Sequence, residues 1–185
     1  MGRTPKAKQE VLDAARRIVR DRGAGNLTFE EIVQESGVTR GGITYHFATK
    51  DALLRALVES DIEQWRELED RHRPEATDPQ TAELIADIRG HTEPNEDRRR
   101  FVAGMLSALT LDPSLLDPVR QFIAQKLAGL EWDDVQLRRH LLRLAAEGLF
   151  WSEIFEYREL DPDVRERLVA LMEQMAREIE IEPEH

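Results

Sequence analysis

Two complete helix-start signals near the N-terminus constrain this sequence more than any other feature. Thr28 is followed three residues later by Glu31, which is the spacing of a capping box, and Thr39 can cap a second short helix after the turn Ser36-Gly37-Val38. Each start is reinforced by apolar residues at the two positions of a hydrophobic staple, Leu27 with Ile32 and Val38 with Ile43. Two short capped helices joined by a tight turn are typical of a helix-turn-helix, although an ordinary helical hairpin inside a bundle has the same pattern.

The rest of the sequence has helical periodicity and no strand pattern. Apolar residues recur at helical spacing over residues 7–22, where Gly23 supplies a C-cap, and Thr49 can cap a long helix that reaches about Arg71. Further helices are predicted at about 80–89, 97–111, 114–130, 134–158 and 163–180. The sequence therefore predicts an all-α fold in which a helix on each side braces the two short capped helices.

The charge of the chain is unevenly distributed. Of the net charge of −11, residues 1–50 contribute +3, from nine basic and six acidic side chains, and the remaining 135 residues contribute −14. A weakly basic N-terminal segment followed by an acidic remainder is expected of a protein that binds phosphate through its N-terminal part only, but a chance distribution of charge gives the same numbers.

Composition and motif spacing exclude several classes of protein. The chain has no cysteine, which rules out disulfides, thiolate chemistry and zinc sites that need sulfur ligands. Its N-terminus lacks the apolar run of a signal peptide, and its longest mostly apolar stretch, residues 101–111, is far shorter than the roughly 20 residues of a membrane span. We therefore expect a cytoplasmic protein without a membrane partner. The sequence shows no nucleophile–base pair, metal-ligand cluster or phosphate loop, so we expect neither an enzyme nor a cofactor or bound metal.

Residues 37–54 carry a specific resemblance to a known family. The run Gly37-Val38-Thr39, Ile43, Tyr45-His46-Phe47, Lys50 and Leu53-Leu54 resembles the DNA-binding signature of the TetR family of transcriptional regulators, in register over about residues 10–57. Two departures stand out. The family's usual aromatic residue falls at Thr44, one place before Tyr45, and Glu30 is an acid where relatives are often basic or neutral. A carboxylate at Glu30 is repelled by phosphate but can accept a hydrogen bond from cytosine N4.

The resemblance implies a domain plan and a function. A helix-turn-helix DNA-binding domain of three helices over residues 1–48 would be followed by a larger helical domain for effector binding and dimerisation over residues 49–185. A homodimeric repressor of this plan would bind a pseudo-palindromic operator in double-stranded DNA on the bacterial nucleoid. A small apolar effector would release it by moving the long helix from Ala52 onward. A regulator that acts through a protein partner without a small-molecule ligand stays open, and a helical-bundle enzyme is a more distant alternative.

The residues expected to contact DNA follow from helix-turn-helix geometry, which places the N-terminal residues of the second helix toward base edges in the major groove. Arg40 is the candidate for a bidentate guanine contact, and Gly41 and Gly42 are there to bring the backbone close to DNA or are merely tolerated. Ile43 and Phe47 are expected to be core. The predicted DNA-binding residues are Thr28, Thr39, Arg40, Gly41, Gly42, Thr44, Tyr45 and Lys50. The resemblance adds His46, which it implies packs against the motif or reaches a phosphate. A basic arm of Arg3, Lys6 and Lys8 touches the minor groove or is solvated.

Two sets of residues are expected to have functions in the second domain. Large apolar side chains at helical spacing line an effector cavity or form plain core, namely Trp65, Phe101, Met105, Leu106, Leu109, Phe122, Trp151 and Phe155. The helix predicted at 134–158 is apolar over a wide arc, which burial in one bundle or contact with a second subunit explains. The predicted dimer interface comprises Leu141, Ala145, Gly148, Leu149, Leu168, Leu171, Met172 and Met175.

Overall fold

A computed structural model of the protein describes residues 4–75 and 78–181, and within these ranges all regular secondary structure is helical. The helices are α1 (Thr4–Arg22), α2 (Phe29–Ser36), α3 (Arg40–His46), α4 (Lys50–His72), α5 (Pro79–Thr92), α6 (Glu96–Leu111), α7 (Asp117–Leu127), α8 (Asp134–Ile154) and α9 (Pro162–Ile181). Short 3-10 helices lie at Ala24–Asn26 and Pro113–Leu116. The all-α prediction is confirmed.

Besides α5, which continues to Thr92 rather than ending near residue 89, two predicted helices have different bounds in the structure. The helix expected at 114–130 divides into a 3-10 turn, where the carboxylate of Asp112 accepts the Ser114 N–H at 3.0 Å, and α7, which begins only at Asp117. The second difference lies at the end of α8, which stops at Ile154 rather than at the expected residue 158. Glu156 has φ 50°, a left-handed backbone conformation that terminates a helix.

The chain divides into two compact units that alternate along the sequence. Unit one comprises Met1–Ile62 and Asn95–Lys126, and unit two comprises Glu63–Pro94 and Leu127–His185. The first turns of α4 therefore belong to unit one and its last turns to unit two. The domain boundary predicted after residue 48 separates a DNA-binding segment from an effector-binding and dimerisation segment, and this division of function stays a prediction. By packing, α6 and α7 belong with the N-terminal helices.

In unit one, α6 crosses α1 at very short range. A Cβ built on Gly104 would lie 2.1 Å from the carbonyl oxygen of Val19, so only glycine allows the two backbones to approach this closely. Phe101 and Met105, which lie beside Gly104 on α6, are buried in the same core as the apolar face of α1. The guanidinium of Arg16 covers the Phe101 ring, with 3.9 Å between Cζ and the ring centroid.

Three charged side chains connect α1, α4 and α6 inside unit one. Asp61 accepts a 2.8 Å hydrogen bond from Arg16 Nη2, and its other carboxylate oxygen lies 3.5 Å from Arg98 Nη2. Burial lowers the pKa of Arg98, and the charge of Asp61 opposes that shift. The carboxylate thus holds two partly desolvated cations and orients the three helices of unit one relative to one another.

Unit two has a separate core, which the apolar faces of α5, α8 and α9 form: Leu84, Ile85, Ile88, Leu142, Ala146, Leu149, Met172 and Ala176. Arg89 of α5 donates from Nε and Nη2 to the two carboxylate oxygens of Glu173 on α9, both at 2.8 Å. Trp65 packs on Gly90, and its indole N–H donates to the buried Glu69 at 2.6 Å. Among the described helices of both units, none is long and apolar enough to cross a membrane.

Candidate nucleic-acid interface

Side-chain caps and one left-handed glycine build the two short helices. The hydroxyl of Thr28 accepts the Glu31 N–H at 3.1 Å at the start of α2, and the hydroxyl of Thr39 accepts the Gly42 N–H at 3.2 Å at the start of α3. Gly37 ends α2 with φ 69°, and its N–H donates to the Val33 carbonyl at 2.9 Å. The N-cap is confirmed at both helices, whereas the Glu31 carboxylate pairs with Arg22 instead of completing the capping box at Thr28. The direction of α3 is fixed by the turn that precedes it.

The two faces of α3 have opposite character. Ile43 and Phe47 are buried in the core of unit one, as the sequence predicted. On the other side Tyr45 is 76% exposed, and Thr44, which donates its hydroxyl to the Arg40 carbonyl at 3.1 Å, is exposed as well. Buried apolar side chains therefore anchor a short helix that presents hydrogen-bonding groups outward.

The two glycines of α3 differ in the space around them. A Cβ at Gly41 would meet no atom within 4 Å, so nothing within the protein requires a glycine there. A Cβ at Gly42 would lie 2.9 Å from Cγ1 of Val38 and 3.4 Å from the capping hydroxyl of Thr39. The packing of the turn thus explains Gly42, whereas at Gly41 no side chain covers the backbone on the outer surface of α3.

Arg40, at the first position of α3, has a partner that the sequence did not reveal. Its Nη1 donates to the carboxylate of Glu30 on α2, and its guanidinium lies 5.7 Å from the ring centroid of Phe29. Both charged side chains are more than half exposed. A hydrogen bond from its own backbone N–H, and then the Arg40 guanidinium, hold the pKa of Glu30 below its ordinary value. The pair is therefore ionised at neutral pH.

The remaining predicted DNA-binding residues lie at the ends of these helices. Thr28 caps α2, as described above. His46 is half-buried, with its ring edge-on to Tyr45 at 5.1 Å between centroids, and Lys50 Nζ donates to the Gly25 carbonyl at 3.4 Å. Of the predicted basic arm, Lys6 lies 3.7 Å from Glu10 and Lys8 lies over the Phe47 ring, while Arg3 is outside the described residues.

The structure distributes the predicted effector-pocket residues over both units. Phe101, Met105, Leu106, Leu109 and Phe122 belong to unit one, where the first two are core, and Trp65, Trp151 and Phe155 belong to unit two. Within unit two the aromatic rings form a chain with successive centroids 4.4, 6.0, 5.6 and 5.9 Å apart: Trp65, His91, Phe150, Trp151 and Phe155. Sequence reasoning missed His91 and Phe150 because helical spacing does not show which rings meet across helices.

The predicted dimer residues separate into exposed and buried members. Leu149 and Met172 lie in the core of unit two, since they face the other helices of their own unit. Leu141, Ala145, Gly148, Leu168, Leu171 and Met175 are exposed. Further exposed apolar residues continue the same helical spacing, Leu137 and Leu144 on α8 and Val164 on α9. Both helices thus carry an uncovered apolar stripe.

These features define a class of protein: an all-helical protein with an N-terminal helix-turn-helix. The model described as "Bacterial regulatory proteins, tetR family" matches residues 11–57, and "Tetracyclin repressor-like, C-terminal domain" matches residues 86–177. The chain belongs to the TetR family of DNA-binding transcriptional regulators, whose members are not enzymes.

Similar proteins agree with this assignment. An HTH-type transcriptional repressor of Mycobacterium tuberculosis is 39% identical over 57 residues, which are 31% of this chain and 30% of that protein. A TetR-family regulator from Haemophilus influenzae has a TM-score of 0.65 at 16% identity, covering 95% of this chain and 98% of its own. The multidrug binding protein EbrR, solved with ethidium, has a TM-score of 0.61 at 23% identity, covering 91% and 98%. The matched segment is thus under a third of the curated repressor's length.

Proposed function

We propose that the protein is a homodimeric repressor that reads a pseudo-palindromic operator with α3 of each protomer and leaves it when a small apolar effector binds. The observation that carries this proposal is the two-faced α3, whose buried Ile43 and Phe47 hold Arg40, Thr44 and Tyr45 outward. A recognition helix needs this arrangement, because base contacts require side chains presented at a fixed angle to the groove.

The exposed groups of α3 divide into proposed base contacts and proposed phosphate contacts. Arg40 can donate to O6 and N7 of a guanine, and Thr44 can contact a thymine methyl group. Gly41, which no packing constraint explains, allows the backbone of α3 to come close to the DNA. Tyr45, Lys50 and the N-terminus of α2 at Thr28 are the proposed phosphate contacts, and these set position rather than sequence preference.

Dimerisation is proposed through the exposed apolar stripes of α8 and α9. On α8 the stripe runs through Leu137, Leu141 and Leu144, and on α9 it runs through Leu168 and Leu171. Contiguous exposed apolar surface of this kind marks an interaction site, and covering it with the same surface of a second copy gives a closed two-fold dimer. Two recognition helices related by that axis would reach half-sites about 34–36 Å apart.

The effector is proposed to bind against the aromatic rings of unit two. Trp65, Phe150 and Trp151 supply aromatic surface, with the polar His91 ring between Trp65 and Phe150, and the buried carboxylate of Glu69 lies at the Trp65 end of the chain. The structural relative EbrR is named a multidrug binding protein and was solved with ethidium, a flat aromatic ligand. Uncharged lipophilic compounds are therefore the probes, because ethidium itself is a cation that intercalates into duplex DNA and would weaken operator binding without a protein site.

The experiment for the DNA-binding proposal is selection of binding sites from random double-stranded DNA with the purified protein. We expect an enriched pseudo-palindrome whose affinity falls about tenfold or more in Arg40→Ala, as the loss of one bidentate base contact requires. Arg120→Ala is the matched control, because Arg120 is an exposed arginine of α7 that pairs with Asp117. Absence of any enriched sequence, or equal losses in both variants, would overturn the assignment of α3 as the reading helix.

The effector proposal is tested by thermal unfolding and operator binding in the presence of each probe. A ligand of the folded state raises the unfolding temperature, and the proposed mechanism requires that the same compound weaken operator binding. In Trp151→Ala the compound should neither raise the unfolding temperature nor weaken operator binding, and the protein should still bind the operator. Trp132→Ala removes an indole outside the aromatic chain and should behave like the wild type in all three measurements. If Trp151→Ala responds to the compound like the wild type, the effector does not bind at these rings.

A further inference from the structure

The three acids of α2 make different ion pairs. Glu31 pairs with Arg22 and Glu35 with Arg17, so both connect α2 to α1. Glu30 instead pairs with Arg40 across the turn, at the outer edge of the two short helices. Glu30 is therefore the acid of α2 that holds the proposed base-reading side chain in the unbound protein.

If α3 reads DNA as proposed, the Glu30–Arg40 pair decides which groups of the DNA can bind the two side chains favourably. Whether Arg40 contacts a phosphate through its remaining N–H groups or by releasing Glu30, the carboxylate of Glu30 then lies beside the negatively charged backbone. Because like charges brought together at an interface oppose binding, contacts with the backbone alone are disfavoured. Removal of the carboxylate should therefore strengthen binding to arbitrary DNA.

One kind of base pair can satisfy both members of the ion pair at once. A C·G pair presents the O6 and N7 acceptors of guanine and the N4 amino donor of cytosine in the same major groove. Arg40 can donate to the guanine while Glu30 accepts from the cytosine, and the two side chains can stay next to each other as they do so. A T·A pair offers the adenine amino group to Glu30, but its two acceptors, adenine N7 and thymine O4, lie on either side of that amino group and cannot both accept from one guanidinium as guanine O6 and N7 do.

We infer that Glu30 is a specificity-determining residue, which acts with Arg40 as one reading unit for a C·G base pair and opposes binding to DNA that lacks it. Each operator half-site should then contain a C·G pair where the N-terminus of α3 meets the groove. The exposed ion pair, at the start of the recognition helix and next to the Phe29 ring, carries this inference.

The test compares Glu30→Gln with Glu35→Gln, which removes the same charge from the same helix but from an ion pair with α1. Dissociation constants are measured at one salt concentration for the selected operator, for the operator with that C·G pair changed to T·A, and for an unrelated duplex. In Glu30→Gln we expect tighter binding to the unrelated duplex, because the repelled carboxylate is gone, with operator affinity unchanged or weaker. The preference for the operator should therefore fall about fivefold or more, the lower end of what one base contact contributes. Glu35→Gln should change all three constants by one common factor.

A double variant separates the paired mechanism from plain charge. In an Arg40→Ala background Glu30→Gln should no longer alter the ratio between operator and T·A operator, because the reading unit is already broken. If Glu30→Gln shifts all three constants by one factor, as Glu35→Gln is expected to do, then Glu30 acts only through net charge and the inference is wrong. If the wild type itself prefers no duplex, the proposed function has failed instead, so the two failures are distinguishable.

Discussion

Replacing Gly104 by alanine tests the close crossing of α1 and α6. The added Cβ would lie 2.1 Å from the Val19 carbonyl oxygen and 3.0 Å from the Val19 carbonyl carbon, and neither backbone atom can rotate away. Because a Cβ essentially never lies closer than 3.0 Å to a non-bonded heavy atom, the two helices must separate by about 1 Å. The same carbonyl accepts the Gly23 N–H at 2.9 Å, so its displacement also loosens the end of α1.

The expected magnitude follows from two opposing effects. Overpacking of this kind costs about 3 kcal/mol at its upper range, and the better helix propensity of alanine returns about 1 kcal/mol. We therefore expect Gly104→Ala to lower the free energy of unfolding by about 2 kcal/mol, which for a chain of this length lowers the unfolding temperature by about 4–8 °C.

Gly41→Ala is the matched control for Gly104→Ala, measured by circular dichroism on heating and by urea titration. It makes the same change in a helix of the same unit, but its Cβ meets no atom within 4 Å, so it should stabilise the protein by about 1 kcal/mol. If the Gly104→Ala protein unfolds within about 1 °C of the wild type, a difference no larger than the measurement error, the close crossing of α1 and α6 is refuted.

Three further predictions concern DNA, the dimer and pH. Gly41→Ala should fold at least as well as the wild type yet bind the selected operator about tenfold less tightly, because a methyl group holds the backbone away from the groove. Unchanged affinity in a titration would show that the backbone of α3 does not lie close to the DNA at Gly41. Leu141→Glu, on the exposed stripe of α8, should convert the proposed dimer to a monomer in sedimentation, whereas Leu111→Glu, at an exposed leucine of unit one, should leave it dimeric. If both variants sediment as dimers, the interface lies elsewhere. The Arg89 hydrogen bonds, and next Arg177, hold the pKa of Glu173 below its ordinary 4.5 against the opposing effect of burial. Because this pKa is depressed by folding, the carboxylate stabilises the protein above pH 4.5 and loses that contribution as the pH falls through the folded value. Glu173→Gln should therefore be less stable at pH 7 and lose less stability on acidification than the wild type does, and parallel pH profiles in thermal unfolding would contradict this.

The local parts of the fold could be predicted from the sequence. The caps at Thr28 and Thr39 and the turn at Gly37 depend on residues within three or four positions of one another, so their spacing was sufficient. The burial of Ile43 and Phe47 followed from the same spacing. Helix ends were less predictable where a single backbone conformation decides them, as at Glu156.

Contacts between helices could not be predicted in the same way. The pairing of Arg40 with Glu30 depends on the angle between α2 and α3, although the unusual acid at position 30 did mark the site. On α8 both faces are apolar, so periodicity could not assign Leu149 to the core and Leu141 to the surface. Likewise the spacing of Phe101 in α6 indicated a buried residue but not the unit whose core contains it.

The central claim, that α3 is the surface that meets DNA, is tested most directly by amide hydrogen exchange of the protein with and without its selected operator. Our account predicts slower exchange in the peptides that cover Thr28–Glu31 and Thr39–His46 when the operator is bound, and smaller changes when Arg40→Ala is mixed with the same duplex. If a complex forms while these peptides exchange as fast as in the free protein, and protection lies only in α8 and α9, then the exposed face of α3 is not the reading surface.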